Sequence, residues 1–167
     1  LLESGIKVID LAADYRIQDS KVWQEWYGVE HASPELLKEA VYGLPELNRE
    51  QIREANLVAN PGCYPTAASL GAAPLLKAKL IDPSSLTIDA KSGVSGAGRK
   101  FAESKDFYGA EGDFYAYKVG RHQHTPEIEQ TLSKAAGKKI KVTFITHLLP
   151  VHRGILTTIY AKRQKGV

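Results

Sequence analysis

The sequence predicts an α/β fold, because short β-branched runs alternate along the chain with segments of helical character. A helix end that stops at Gly5 leads into the run 6–11, and the two form half of a βαβ unit whose strand is parallel and buried on both faces. The run 57–59 ends in a turn and is followed by a small-residue helix over 66–80. Further strands are predicted over 86–90, 141–146 and 154–161.

Capping residues place three more helices between these strands. Each cap is a short polar side chain that can accept a backbone N–H group at a helix start. The predicted caps and helices are Asp19 or Ser20 for 20–27, Asn48 for 49–55, and Thr125, followed by proline, for a helix that runs to about residue 136.

The composition limits the classes of protein to which the chain can belong. The 167 residues suffice for one domain or for one domain with part of another, and 43% hydrophobic residues provide a real core. A net charge of +3 with scattered Lys and Arg does not indicate nucleic-acid binding, and no apolar run reaches the ~20 residues of a membrane span. One cysteine suits a reducing, cytoplasmic compartment. The absence of methionine leads us to expect a fragment of a longer protein.

Cys63 lies at the corner where the strand 57–59 turns through Pro61 and Gly62 into the following helix. Backbone N–H groups at a helix start lack intrahelical partners and carry about half a positive charge, which favours thiolate over thiol. A lone cysteine is more often a small buried hydrophobe, although turn residues flank this one. The residues therefore leave two interpretations open, a nucleophile that needs a base elsewhere in the fold and a core residue.

His122 and His124 form a His-x-His pair just before the predicted helix start at Thr125. In an extended segment the two imidazoles would point to the same side, and their titration suits proton transfer near pH 7. The pair could also be half of a metal site, but no further close-set ligands accompany it, so we expect no metal. A structural role, in which one or both rings bond the loop, is the other alternative.

The strand 86–90 runs into a glycine-rich loop over 91–99. Its glycines would let a ligand approach the backbone closely, and its N–H donors are expected to be exposed. The loop lacks the spacing of a dinucleotide fingerprint, and a flexible surface loop is the alternative. Aromatic residues then spread over 101–118 without a clear period, which predicts a long structured loop.

Several blocks of the sequence point to one family when they are taken in order. They are VIDLAADYR at 8–16, VYGLPE at 41–46, NPGCYPT at 60–66, SGVSGAGR at 92–99, HQHTPEI at 122–128 and RGIL at 153–156. The chain resembles the N-acetyl-γ-glutamyl-phosphate reductases over essentially its whole length. The cysteine block together with the others is far more specific than any one of them. Gln123 departs from the family, which often has arginine there, and Arg121 is a possible substitute.

The resemblance implies an organisation in two parts. Residues 1–60 would be the C-terminal tail of a Rossmann dinucleotide-binding domain, whose glycine-rich βαβ segment is expected to be absent from the chain. Residues 61–167 would be a catalytic and dimerisation domain of the glyceraldehyde-3-phosphate dehydrogenase type, incomplete at its C-terminus. That fold has a mixed, largely antiparallel sheet with helices on one face, and its other face pairs with a second subunit. A homo-oligomer, dimer or tetramer, is therefore expected.

The resemblance also implies an activity, the NADPH-dependent reduction of N-acetyl-L-glutamyl 5-phosphate to N-acetyl-L-glutamate 5-semialdehyde in arginine biosynthesis. Cys63 would carry the acyl group as a thioester, and His124 would be the proton carrier. The substrate contacts would be His122, Arg121, Asn60, Arg153 and Arg16. The residues bordering the nicotinamide of NADP would be Ser92, Gly93, Ser95, Gly96, Ala97 and Gly98.

Three other functions stay open. An aspartate-semialdehyde dehydrogenase uses the same thioester chemistry on another acyl phosphate, although the cysteine block and the His-x-His block argue against it. A non-catalytic dimerisation fragment would follow from the expected absence of the cofactor half, and such a fragment would be inactive and bind NADPH weakly or not at all. A thiol hydrolase ranks lower, because the sequence shows no third orienting residue.

Overall fold

The computed structural model describes residues 1–98 and 113–166. The chain divides into two compact units, Leu1–Thr66 and Ala67–Val167. The predicted domain boundary at residue 60 stays a prediction. Most of the loop predicted over 101–118 lies outside the described residues, since the description resumes at residue 113.

The first unit contains a small parallel sheet. Its strands are Val8–Asp10 (β1), Val41–Tyr42 (β2) and Leu57–Ala59 (β3). The order is β1-β3-β2, and β3 pairs in parallel with both neighbours, as predicted for the strand at 6–11. The prediction that this strand is buried on both faces is wrong, because the described residues leave Ile9 68% exposed.

In the first unit, one of the predicted helix caps is confirmed and another is wrong. They are the 3-10 helices Leu2–Ser4 and Pro34–Lys38 and the α-helices Ser20–Tyr27 (α1) and Pro45–Glu54 (α2). The Asp19 carboxylate accepts the N–H groups of Lys21 and Val22, so the predicted cap of α1 is confirmed. The predicted cap Asn48 is wrong, because it lies inside α2 with φ −132° and donates its amide to Tyr42 O at 2.9 Å.

The second unit is built on a four-stranded sheet of order β5-β6-β4-β7. Its strands are Thr87–Gly93 (β4), Tyr115–Tyr117 (β5), Thr143–Leu149 (β6) and Ile155–Tyr160 (β7). β4 and β6 are parallel, whereas β7 and β5 pair antiparallel with β4 and β6. The sheet is therefore mixed and largely antiparallel, as the family resemblance implied.

Two α-helices and two short 3-10 helices accompany this sheet. They are Cys63–Lys77 (α3), which begins in the first unit, and His124–Ala136 (α4), with short 3-10 helices at Pro83–Ser85 and Val94–Ala97. A Cβ on Gly71 of α3 would lie 2.8 Å from Cδ1 of Ile159, so α3 packs closely on β7. On the opposite face of β7, Leu156 and Tyr160 are 64% and 57% exposed. Within the described ranges, none of the helices has the length and apolar character that a membrane crossing requires.

Candidate active site

Cys63 is the first residue of α3 and directly follows the turn that leaves β3. The helix therefore starts three residues earlier than predicted, and its first turn is closed by the N–H and hydroxyl of Thr66, which donate to Gly62 O at 3.0 and 2.9 Å. The side chain of Cys63 is exposed, while Tyr64 and Ala68 behind it are buried. The exposure excludes the core-residue interpretation. A cysteine at a helix start that solvent can reach is the arrangement that favours a reactive thiolate.

Asn60 and Arg16, two predicted substrate contacts, are bonded to the backbone around this corner. Arg16 Nε donates to Asn60 O at 2.7 Å, and Nη2 donates to Leu11 O at 2.8 Å. The backbone N–H of Asn60 donates to Asp10 O at 2.8 Å, and its side-chain amide donates to Pro61 O at 3.3 Å. Both side chains therefore bond the backbone of the segment that leads into Cys63. Their contact with substrate stays a prediction.

His122 bonds the start of the helix that follows it, whose N-cap residue is Gln123. Its Nδ1 accepts the backbone N–H of His124 at 3.1 Å, and its carbonyl oxygen accepts the N–H of Thr125 at 2.9 Å. The helix α4 begins at His124, so the predicted cap Thr125 is wrong. The imidazole of His122 satisfies a helix-start donor that a shorter polar side chain usually takes.

The two imidazoles lie together but in different environments. Their ring centroids are 4.8 Å apart. His122 is 7% exposed and sits edge-on to the rings of Tyr117 and Phe144, whereas His124 is only half-buried. Burial, with a smaller contribution from the charge of Lys118, lowers the pKa of His122 to about 4. His122 is therefore neutral near pH 7.

We expect the free energy of unfolding to fall as the pH is lowered from 6.5 to about 4. In that window the unfolded chain protonates His122 and the folded chain does not, so acid favours the unfolded state. The loss should reach about 3 kcal/mol near the folded pKa and stay constant below it. Urea denaturation at a series of pH values measures this loss.

The matched control for this pH dependence is His122→Asn. Its amide oxygen can still accept the N–H of His124, but the side chain does not titrate. The slope of stability against pH should be smaller in this variant than in the parent chain. Equal slopes in the two proteins would show that His122 does not carry the effect.

The glycine-rich segment is fixed against a second loop. The N–H groups of Gly93, Val94 and Ser95 donate to carbonyl oxygens of the turn 151–154 at 2.9, 2.9 and 3.0 Å. The expectation that these N–H donors are exposed is therefore wrong, because each of them donates a hydrogen bond to a carbonyl oxygen of the turn 151–154. Within the predicted cofactor segment, Ser92 and Gly93 are buried, Ala97 is half-buried, and Ser95, Gly96 and Gly98 are exposed.

Gly93→Ala should destabilise the second unit, because a Cβ on Gly93 would lie 2.8 Å from Val151 O and 2.9 Å from Arg153 N. Backbone atoms of a bonded turn cannot give way as a side-chain end can, so we expect a loss of about 1–3 kcal/mol. Urea denaturation checks it, with Ser95→Ala as the control because that residue is exposed and keeps its backbone bond. Equal stability of the two variants would mean that the two loops are not held this closely.

Tyr117 links the glycine-rich segment to the histidine pair. It packs on the buried side chains Val94 and Leu148, together with Ala97 of the segment. Its ring also lies 5.7 Å from that of His122. The structure therefore brings two of the predicted site elements together in the second unit. Arg121 and Arg153, the predicted anion contacts, are both exposed, next to the histidine pair and in the turn 151–154 respectively.

Sequence reasoning missed two charged residues near the histidine pair. Lys118 has a left-handed backbone with φ 47°, and its Nζ donates to Gln123 Oε1 at 2.8 Å. Glu127 is fully buried in the first turn of α4. An acidic residue in the first turn is common because it faces the positive end of the helix dipole, so its place along the chain did not signal burial. Among the residues that the structure describes, no three His, Cys, Asp or Glu side chains group to hold a metal ion.

Family models match both parts of the chain. Residues 63–167 match the semialdehyde dehydrogenase dimerisation domain, and residues 1–55 match the semialdehyde dehydrogenase NAD binding domain. The chain belongs to the semialdehyde dehydrogenase family.

Two similar curated proteins are N-acetyl-gamma-glutamyl-phosphate reductases. The N-acetyl-gamma-glutamyl-phosphate reductase of Syntrophobacter fumaroxidans is 59% identical over 167 residues, which are 100% of this chain and 48% of that protein. That of Pelotomaculum thermopropionicum is 61% identical over 158 residues, which are 95% of this chain and 46% of that protein. The resemblance seen in the sequence is confirmed. The chain spans about half the length of the curated relatives it matches.

A solved structure of another semialdehyde dehydrogenase has the same fold. Aspartate semialdehyde dehydrogenase II from Vibrio cholerae aligns with a TM-score of 0.68 over 99% of this chain and 51% of that chain. The sequence identity is 16%, so the likeness concerns the fold alone. The predicted fold class, a glyceraldehyde-3-phosphate dehydrogenase-like domain with a Rossmann tail, is confirmed.

Proposed function

We propose that this chain is part of an NADPH-dependent reductase that converts N-acetyl-L-glutamyl 5-phosphate to N-acetyl-L-glutamate 5-semialdehyde and phosphate in cytoplasmic arginine biosynthesis. The observation that carries the proposal is the exposed Cys63 at the first residue of α3. It occurs in a semialdehyde dehydrogenase whose relatives named above are 59% and 61% identical. The name of these relatives identifies the acyl group of the proposed substrate, and the cysteine can hold that group as a thioester.

The first step joins the acyl group to Cys63. The thiolate attacks the γ-carbonyl carbon, a C–S bond forms, and the C–O bond to phosphate breaks, which leaves a thioester and inorganic phosphate. The carbonyl oxygen becomes negative during the attack. The start of a helix is suited to stabilise that charge, because it carries the positive end of the helix dipole.

The second step releases the aldehyde. The hydride that reduces the thioester carbon would come from a nicotinamide when one is bound. His124 donates a proton to the resulting oxyanion, which gives a thiohemiacetal on Cys63, and takes the proton back as the C–S bond breaks. His124 suits this role because it is less buried than His122, whose pKa near 4 keeps it neutral at the pH of the cytoplasm. His122 then positions His124 through the bond to its backbone.

We propose NADP as the cofactor, with its nicotinamide beside the glycine-rich segment. The match to an NAD binding domain supports a nicotinamide cofactor in general. A Cβ on Gly96 would lie 2.6 Å from Ser92 Oγ, so the Ser92 hydroxyl packs under Gly96 and supports an exposed backbone edge. Such an edge can be approached by a flat ring. Ser95, Gly96 and Gly98 are exposed there and would hold the ring, with Ser92, Gly93 and Ala97 behind them.

Arg121 and Arg153 are proposed to bind the carboxylate and phosphate groups of the substrate. Both guanidinium groups are exposed, and a guanidinium can donate two parallel bonds to either kind of anion. The match to a dimerisation domain supports a homo-oligomer. Contacts of the substrate with His122, Asn60 and Arg16 stay predictions, because the structure shows other bonds for each of them.

The test is a comparison of two acyl phosphates. The gene product that contains this chain is mixed with NADPH and either N-acetylglutamyl phosphate or aspartyl phosphate, and loss of NADPH absorbance is followed. We expect oxidation with the first substrate and little with the second. The opposite preference would identify an aspartate-semialdehyde dehydrogenase. NADPH titration of the 167-residue chain by fluorescence measures what this part binds by itself.

A further inference from the structure

We propose that Lys118 is a positioning residue for the histidine pair His122 and His124. Its ammonium group, held by the side chain of Gln123, keeps His122 as the acceptor of the His124 N–H. The inference rests on the proposed function, since His124 is the proposed proton carrier. It adds a residue that belongs to none of the predicted site elements.

Lys118 begins the turn that leads from β5 to the histidine pair. The N–H of Arg121 donates to Lys118 O at 2.9 Å, which closes the turn 118–121 directly before His122. Lys118 has φ 47°, a left-handed backbone that is unfavourable for a residue with a Cβ. Glycine would adopt this conformation without that strain. A lysine that keeps a strained backbone beside a candidate site points to a role for its side chain.

The ammonium group of Lys118 is held by the residue between the two histidines. Its Nζ donates to Gln123 Oε1 at 2.8 Å. A lysine side chain is long and flexible, so a bond to a half-buried partner restricts where its charge lies. An arginine at position 123 would place a like charge against this ammonium group, whereas the glutamine oxygen accepts it. Lys118 and Gln123 are therefore a chemically matched pair.

The charge of Lys118 acts on His122. Burial is the larger cause that lowers the pKa of His122 to about 4, and the positive charge of Lys118 adds to it. Nδ1 of His122 accepts the His124 N–H at 3.1 Å, which only an unprotonated Nδ1 can do. Because Lys118 disfavours the imidazolium form, it preserves the bond that fixes His124 as the first residue of α4.

Other titratable or charged residues lie on the elements around His122. In the described part of the chain they are Tyr117 of β5, Arg121 of the turn, and His124 and Glu127 of α4. The strand β6 contributes the uncharged ring of Phe144. Among the described residues, the charge that acts on the pKa of His122 is that of Lys118.

Three variants separate the charge from the bond that holds it. Lys118→Gln removes the charge at similar length, Lys118→Arg keeps it, and Gln123→Ala keeps the charge but removes its acceptor. Lys139→Gln is the matched control, because Lys139 is an exposed lysine of the same unit, beyond the end of α4.

Two readouts are compared in the gene product that contains this chain. The first is the titration midpoint of the His122 imidazole, followed by NMR with isotope-labelled histidine and assigned by the signal that His122→Asn lacks. The second is the ratio of kcat at about pH 5 to kcat at about pH 7.

We expect Lys118→Gln to raise the midpoint of His122 above about 4 but not to 6.5, because burial persists. The kcat ratio should fall at least about 2-fold, since more His122 is then protonated in acid and cannot accept the His124 N–H. Gln123→Ala should raise the midpoint less, and its combination with Lys118→Gln should add nothing, because holding matters only while the charge is present. Lys118→Arg and Lys139→Gln should stay close to the parent.

An unchanged midpoint in Lys118→Gln would overturn the proposal, since burial alone would then set the state of His122. Equal shifts in Lys118→Gln and Lys139→Gln would overturn it too, because any surface charge would then have the same effect. A raised midpoint with an unchanged kcat ratio would contradict a positioning role.

The NMR titration separates this proposal from the proposed function. It needs no substrate, so it can fail or succeed whatever reaction the gene product catalyses. If Lys118→Gln does not fold, Gln123→Ala decides, since it leaves the lysine in place. A parent-like midpoint in Gln123→Ala would then contradict the proposal.

Discussion

Cys63→Ser should abolish acyl phosphate reduction, with kcat at least about 10³-fold lower. Serine has nearly the same size and keeps the start of α3 intact, but its hydroxyl does not ionise at a helix start as a thiol can. Without an ionised nucleophile no acyl-enzyme forms, so phosphate release should disappear together with NADPH oxidation. Both are measured in the gene product that contains this chain.

The controls for Cys63→Ser are binding and stability. NADPH titration by fluorescence and urea denaturation should give the same values as the parent, since the side chain is exposed and its replacement leaves the core unchanged. If Cys63→Ser loses folding as well as activity, Cys63→Ala tests the role of the thiol instead, because the alanine side chain has no polar atom. Turnover that persists in either variant would exclude a covalent route through this residue.

His124→Asn should lower kcat about 10²- to 10⁴-fold, the usual contribution of a proton carrier. His122→Asn should cost less, because burial and Lys118 lower the pKa of His122 to about 4 and its Nδ1 accepts the N–H of His124. The asparagine oxygen can accept that N–H in its place. The two variants are compared by kcat at neutral pH.

His152→Asn is the matched surface control for this comparison. Its side chain is exposed, and its carbonyl oxygen accepts the N–H of Ser95. It should retain parent-like kcat. A larger loss at His122 than at His124 would reverse the assignment of the two histidines, and equal small losses would exclude both as proton carriers.

The parts of the fold that sequence could predict depend on short-range patterns. The Asp19 cap and the helix end at Gly5 involve residues within one turn of each other, and both are confirmed. Asn48 also has the character of a cap, but the carbonyl of Tyr42 outside the helix takes its amide. The N-cap of α4 is Gln123, which makes no side-chain cap bond, and the imidazole of His122 before it accepts the N–H of His124 instead.

In the candidate site, too, features set by neighbouring residues were predictable and contacts between distant segments were not. The position of Cys63 at a strand-to-helix corner follows from its immediate neighbours and was predicted, whereas its exposure was not, because the same residues also allowed a core cysteine. The use of the Gly93 and Ser95 N–H groups by the turn 151–154 depends on the sheet register, which a single sequence does not reveal. His147 Nδ1 lies 3.2 Å from Asp89 Oδ1, and Lys91 bonds the same carboxylate. This cluster exists because parallel pairing sets Lys91 beside His147.

Mass spectrometry of the acylated protein tests the central claim most directly. The gene product that contains this chain is mixed with N-acetylglutamyl phosphate in the absence of NADPH, quenched in acid and digested. The predicted result is one acetylglutamyl group on the peptide that carries Cys63, with one phosphate released for each group and no adduct in Cys63→Ser. Phosphate release with an unmodified Cys63, or an adduct on another residue that persists in Cys63→Ser, would contradict it.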